Sequence, residues 1–183
     1  MRIIGGTAKG HAIKAPKGVD TRPTLDRVRE SVFNVLANRG IFGTDVLDIF
    51  SGTGAVAIEA LSRGAAHAVA VDFKTGKLIL ENAKHCRVDD RLEIIPRKLS
   101  QLKNYIVGRQ FDYIFSDPPY ENGFIQETID MVVDCDLLKP EGVLLLEHHK
   151  DEAFTLPESW KCIKEQKFGY TMVSYFVNTA ERS

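Results

Sequence analysis

Short apolar runs recur along this chain, and the stretches between them read as helices. The runs are Val46–Phe50, Ala68–Asp72, Leu92–Ile95, Tyr113–Ser116 and Val143–Glu147, each the length of a short buried strand. Helices are expected over Ala55–Arg63, Lys74–Cys86, Ser100–Val107 and Phe124–Val133, with Gly64 closing the first of them. Strands alternating with helices imply parallel β-α-β units whose sheet is covered on both faces. The tail breaks that rhythm. Lys161–Phe168 and Met172–Asn178 meet across Gly169-Tyr170 with no helix between them, which predicts an antiparallel hairpin closing one edge of the sheet.

Ahead of the first run, Leu25, Val28, Val32, Val35 and Leu36 form an amphipathic helical stripe, with Thr24 placed to cap it and Gly40 to end it. Two short strands, Arg2–Ile4 and His11–Ala15, precede it, joined by turns at Gly5, Gly6 and Gly10. No internal repeat, low-complexity stretch or interdomain linker interrupts the 183 residues. The expectation is one α/β domain over residues 1–183, with 1–40 as an N-terminal hairpin-plus-helix extension.

Composition narrows the class. The chain is 44% hydrophobic and 27% charged, which argues against a disordered or fibrous protein. Its apolar runs fall far short of the ~20 residues that a bilayer-spanning helix requires, and Met1–Gly6 lacks a signal-peptide core. Cys86, Cys135 and Cys162 have neither metal-ligand nor redox spacing, so they read as buried reduced thiols in a cytoplasmic protein. The net charge of −1 hides an asymmetry. Residues 1–30 carry seven bases and three acids, a net of +4, while the rest carries −5. Arg2, Lys9, Lys14, Arg22, Arg27 and Arg29 therefore form a candidate polyanion-binding face, the arginines lying off the apolar stripe or just before it.

Two loops carry candidate chemistry. Asp48-Ile49-Phe50-Ser51-Gly52-Thr53-Gly54 lies where the first parallel strand gives way to a helix, the place where open α/β sheets bind ligands. Gly52 and Gly54 let the backbone turn sharply near a ligand. Asp72 ends the second strand, where an acid can accept hydrogen bonds from both hydroxyls of a ribose. Asp48, on the strand, suits an ammonium group and would repel a pyrophosphate. S-Adenosylmethionine has an α-amino group and a ribose but no phosphate, and so suits both acids. Asp48, Phe50, Gly52, Gly54 and Asp72 are the candidate cofactor residues.

The second loop, Ser116-Asp117-Pro118-Pro119-Tyr120, follows the fourth strand. Consecutive prolines stiffen it and remove two N–H donors, so the Asp117 carboxylate and the Pro118 carbonyl are presented as acceptors in fixed relation. An exocyclic amino group on a nucleobase is a poor nucleophile because its lone pair is delocalised. Two acceptors on its hydrogens turn that lone pair outward and stabilise the positive charge developing on nitrogen. Tyr120 can stack on a base that has left its helix. Asp117, Pro118 and Tyr120 are the candidate catalytic residues. His148-His149 are not read as metal ligands, because adjacent strand residues face opposite ways. Glu147 ends the fifth strand, at the border of the pocket or, the preferred reading, at the surface, and Tyr170 and Tyr175 read as packing residues of the terminal hairpin.

Together these residues resemble a class I S-adenosylmethionine-dependent methyltransferase acting on an amino nitrogen of a base. More narrowly, Arg2-Ile3-Ile4-Gly5-Gly6, the run from Thr21-Arg22-Pro23-Thr24 through Asp26-Arg27-Val28-Arg29-Glu30-Ser31-Val32-Phe33-Asn34, and Glu59-Ala60-Leu61-Ser62-Arg63-Gly64-Ala65 are similar to the bacterial family that methylates the N2 of a guanine in small-subunit (16S) ribosomal RNA. The resemblance spans Arg2 to about Asn178. It implies a Rossmann-like seven-stranded sheet with an antiparallel last strand, S-adenosylmethionine as cofactor, and a small ribosomal subunit or its assembly intermediate as substrate. It implies that the arginine-bearing N-terminal segment, with Arg2, Lys9, Lys14, Arg22, Arg27 and Arg29, faces the active site and the RNA; from the residues themselves no metal and no membrane partner are expected, and the expected state is a monomer. The family usually has Glu where this chain has Asp72, and commonly an Asp after the third strand where this chain has Lys98. Asp-Pro-Pro-Tyr also serves DNA adenine-N6 methylation, although the 63 residues after Tyr120 leave no room for a target-recognition domain. A third reading is a non-catalytic RNA-binding assembly factor on the same fold.

Overall fold

The computed structural model describes residues 1–16 and 23–180. Arg22 and the side chain of Thr24, read above as an RNA contact and a helix cap, lie outside what it describes. The elements run α1 (Pro23–Arg39), β1 (Asp45–Ile49), α2 (Ala55–Ser62), β2 (His67–Val71), α3 (Gly76–His85), β3 (Leu92–Ile95), α4 (Leu99–Ile106), β4 (Phe111–Ser116), α5 (Phe124–Asp134), β5 (Leu138–His149), β6 (Trp160–Phe168) and β7 (Thr171–Asn178). The sheet order is β3-β2-β1-β4-β5-β7-β6. Strands β1 to β5 are parallel, and β7 runs antiparallel to both of its neighbours. The terminal hairpin therefore inserts its second strand next to β5 and leaves β6 at the edge.

Side-chain alternation along the strands divides the interior into two cores. Val46, Tyr113, Phe115, Val143 and Leu145 pack with Val28, Phe33, Ile58 and Ile79 of α1, α2 and α3. Leu47, Ile49, Ile114, Leu144 and Leu146 pack with Leu102, Ile106, Ile125 and Ile129 of α4 and α5. Strand order reverses between β1 and β4, which pair Asp48 with Phe115 and Ile49 with Ser116. The loops leaving these two strands consequently emerge side by side at the switch point of the sheet.

The two stretches Arg2–Gly6 and Glu59–Ala65 bind each other. Glu59, buried on α2, accepts the backbone N–H groups of Ile4 and Gly5 at 2.9 and 2.8 Å and the Arg63 guanidinium at 2.8 Å. Ser62 donates its hydroxyl to the Gly5 carbonyl and accepts the Ala8 N–H, and its own carbonyl takes the Thr7 N–H. A Cβ at Gly6, whose φ is +76°, would lie 1.8 Å from that carbonyl oxygen, so only glycine fits there.

Several expectations change. The N-terminal hairpin is reduced to one antiparallel bridge between Arg2 and Ala12, because the backbone of 4–8 turns to α2 instead. Strand β5 starts five residues earlier than its apolar run, passing Pro140 and Gly142 through a register shift with Glu141 at φ 63°. Cys86 and Cys135 are buried, but Cys162 is exposed, since it sits on the edge strand β6. Tyr175 is packed inside the hairpin, whereas Tyr170 is 72% exposed at its tip.

Candidate active site

The loop from β1 to α2 folds back on itself through three left-handed residues, Phe50 (φ 60°), Gly52 (φ 58°) and Gly54 (φ 80°). Phe50 adopts a backbone region that favours glycine, a local strain of the kind that gathers at binding sites. Gly54 lies so close to α3 that an added Cβ would sit 2.9 Å from Ile79, while above Gly52 nothing lies within 4 Å of such an atom. Asp48 is fully buried beneath this loop. Its Oδ2 accepts the Ser51 hydroxyl and the Ala57 N–H in the first turn of α2, leaving Oδ1 without a partner among the described residues. Burial pushes this carboxyl up to about 7 against those two hydrogen bonds, with the nearby charges of Asp117 and Asp72 adding to the rise.

Asp72, one residue beyond β2, braces the same loop. One oxygen accepts the Gly52 N–H at 3.1 Å, and the other accepts those of Lys74 and Thr75 at 2.9 and 3.2 Å. Next to it Phe73 stands half exposed, with the ammonium groups of Lys74 and Lys98 at 5.0 and 5.5 Å from its ring centre.

The loop after β4 brings Asp117, Pro118 and Tyr120 to the same end of the sheet. The Asp117 N–H reaches back toward the Ile49 carbonyl of β1, at 3.4 Å. The carboxylate of Asp117 accepts no hydrogen bond from any described residue, and its removal from water pushes it up to about 7. Pro118 is buried beneath the loop. The Tyr120 hydroxyl lies 2.7 Å from that of Thr171 on β7, and its ring meets the edge of His149, which stacks on Tyr170.

Glu147 takes the less favoured of the two positions read from the sequence, at the border of the pocket. It is not on the surface but 4% exposed, and it lines the same cavity as Asp117. Burial first, and the Asp117 charge second, push it up to about 8. Strand register held the signal: β4 and β5 pair Phe115 with Leu145 and Ser116 with Leu146, so the next position sets Asp117 beside Glu147. Asp48, Asp117 and Glu147 share one face.

Two cavities meet here. One of about 190 Å³ is lined by Asp48, Gly52, Arg29, Asp117 and Glu147, and one of about 460 Å³ by Asp72, Phe73, Lys98, Pro118 and Phe124. Phe50 and Asp117 border both.

The basic face is more selective than expected. Arg2 and Arg27 are exposed around a groove of about 420 Å³ that leads past Arg29. Lys9 and Lys14 are exposed but line neither the groove nor the two cavities, and Lys14 pairs with Glu81 on α3. Arg29 is the correction. It was expected off the apolar stripe, yet it is 5% exposed, donates to the Arg2 carbonyl, and pairs with Asp26 at 3.2 Å and Glu59 at 3.8 Å. Its position three residues before Val32 and four before Phe33 puts it on the buried side of α1.

Residues 1–177 match the family described as Conserved hypothetical protein 95. The chain is 32% identical over 183 residues to YlbH of Bacillus subtilis (strain 168), covering 96% of this chain and 98% of that protein. It is 31% identical over 184 residues to ribosomal RNA small subunit methyltransferase D of Escherichia coli (strain K12), covering 99% of this chain and 91% of the relative. Among solved structures, yhhF from Escherichia coli is similar with a TM-score of 0.87 at 30% identity, 99% of each chain being covered. HI0767 from Haemophilus influenzae is similar with a TM-score of 0.82 at 27% identity, covering 98% of each.

Proposed function

Because the chain belongs to the Conserved hypothetical protein 95 family, as its match over residues 1–177 shows, we propose that it transfers a methyl group from S-adenosylmethionine to the exocyclic N2 of a guanine in small-subunit ribosomal RNA. The similarity to ribosomal RNA small subunit methyltransferase D of Escherichia coli supports the substrate class. The observation that carries the chemistry is the Asp117 carboxylate, held between two cavities on a proline-stiffened loop with no partner of its own among the described residues.

The donor set fits the cofactor. Asp48 offers an unpartnered oxygen to an α-ammonium, Asp72 retains acceptor capacity for ribose hydroxyls, and Gly52 leaves open space above the loop. The Phe73 face suits an adenine ring, and the buried Thr75 hydroxyl beside it has no partner among the described residues. Lys98 cannot accept from an adenine amino group, so that recognition falls to the Phe73 face and backbone carbonyls. When bound, S-adenosylmethionine supplies a methyl group activated by a positively charged sulfur.

The chain's own groups then do the rest. The Asp117 carboxylate and the Pro118 carbonyl take the two hydrogens on N2 and aim its lone pair. Tyr120, tethered to Thr171, offers a face to the flipped base. The Asp117 carboxylate, which holds one of those hydrogens, would take that proton from the nitrogen once it carries positive charge. The test is nucleoside mass spectrometry of small-subunit RNA from cells lacking the protein, before and after incubation with purified protein and S-adenosylmethionine. One new N2-methylguanosine is the expected product; N6-methyladenosine, or no new nucleoside, would overturn the reading.

A further inference from the structure

Glu147 has no part in the chemistry just described, yet its setting is unusual. It lies on β5 with 4% of its surface exposed, one position past the last β4–β5 pair, Ser116 with Leu146, and in the same cavity as Asp117. Its carboxylate accepts no hydrogen bond from any described residue. Arg29, the buried guanidinium lining that cavity, turns to the Arg2 carbonyl, Asp26 and Glu59, and its Nε has no hydrogen-bond partner among the described residues. Withdrawing a carboxyl from bulk water without a hydrogen-bond partner is costly, and one that faces an open cavity is placed to be satisfied by a ligand.

We propose that Glu147 selects the purine: its carboxylate takes the ring N1–H of guanine while Asp117 and the Pro118 carbonyl take the two hydrogens on N2. This rests on the guanine reading above and extends it to the ring. Guanine presents its N1–H next to the two hydrogens on N2, and the site offers three acceptors, the Asp117 carboxylate and the Pro118 carbonyl from the loop after β4 and the Glu147 carboxylate from β5. Adenine offers an amino group next to a bare N1 lone pair. A carboxylate facing that lone pair repels it, so the acceptor that welcomes guanine discourages adenine. A donor edge arriving in the cavity also favours the ionised form of a carboxyl that burial otherwise holds neutral.

The experiment uses small subunits reconstituted with either guanine or 2-aminopurine at the methylated position. The analogue keeps the amino group at C2 and lacks the N1–H. For the unaltered protein, kcat/KM is expected to favour guanine by about tenfold or more, the effect of one hydrogen bond to a charged acceptor. In Glu147→Gln, activity on guanine falls and the preference shrinks toward one, because the amide can turn its NH2 toward a bare N1. Glu147→Ala, which removes the acceptor and adds no polar group, lowers the preference as well. Calorimetry with S-adenosylmethionine should show affinity within about twofold of the parent in both variants, whereas Asp48→Ala should lose binding. An unchanged preference in a variant that still binds cofactor overturns the role of Glu147 alone. Failure of the unaltered protein to make N2-methylguanosine from the guanine subunits overturns the guanine reading and this assignment together.

Discussion

Glu59 holds Gly5 by a 2.8 Å bond from a carboxylate with no exposed surface, so the N-terminal arm is bolted to α2 rather than tethered beside it. The same carboxylate neutralises Arg63 and Arg29, and the three side chains form one buried charge network. Glu59→Ala would leave Arg63 without its counter-charge, Arg29 with Asp26 alone, and two backbone N–H groups unpaired. A loss of about 3–5 kcal/mol is expected, as for other broken buried ion pairs. Gly6→Ala should also destabilise, since its Cβ has no room beside Ser62. Urea unfolding midpoints measure both. A midpoint unmoved in Glu59→Ala would show that the arm is not held as described.

Asp117 is asked to do chemistry without holding the fold or the cofactor. Asp117→Ala should lower kcat by about a hundredfold or more, the scale of losing one positioned electrostatic partner of a transition state. Affinity for S-adenosylmethionine, read by calorimetry, should stay near that of the parent. Equal loss of turnover and cofactor affinity would contradict the assigned role.

How far the sequence led can be judged from particular residues. The five parallel strands were legible because each is apolar on both faces, and the reversed hairpin because Gly169-Tyr170 joins two β-rich runs with no helix between. Asp48 and Asp117 stood out because their loops have unusual backbone chemistry. Glu147 lacked such a marker: an acid at a strand end looks like the start of solvent. Only the pairing of β4 with β5 places it opposite Asp117, and register between distant strands is not written in either strand alone. Arg29 failed differently. It follows Arg27 by two residues, and three arginines in one short stretch read alike, although a helix turns those two about 200° apart. The beginning of β5 was hidden by Pro140 and Gly142, residues that usually end strands and here flank a bulge.

The arginines now separate into two kinds with opposite tests. Arg27 is exposed at the groove, so Arg27→Glu should weaken small-subunit association and leave the unfolding midpoint almost unchanged. If it meets one phosphate, Arg27→Ala should lower the slope of log affinity against log salt by about one. Arg29→Ala should chiefly lower stability, because it strips Glu59 of a buried partner. Filter binding across a salt series, set beside denaturation, distinguishes them. Loss of RNA association with an unmoved midpoint in Arg29→Ala would return that residue to the surface.

The three crowded carboxyls set a pH dependence of stability whose sign follows from burial. Asp48 and Asp117 are raised to about 7 and Glu147 to about 8 in the folded chain. In the unfolded chain they ionise near the ordinary carboxylate value of about 4. Between about pH 4 and 8 the unfolded state therefore binds fewer protons than the folded one, and stability falls as pH rises. Asp45 works the other way. Burial is the largest single effect on it and pushes it up, but the Lys139 and His67 contacts together outweigh that and hold it below the ordinary range, so its contribution is present above about pH 4 and lost in acid. The parent should thus resist urea better at pH 5 than at pH 8. Glu147→Gln removes one ionisation and should shrink that difference chiefly by raising stability at pH 8, even as it harms activity on guanine. A parent more stable at pH 8 than at pH 5, with Glu147→Gln unchanged at both, would mean that these carboxyls are not crowded into one cavity.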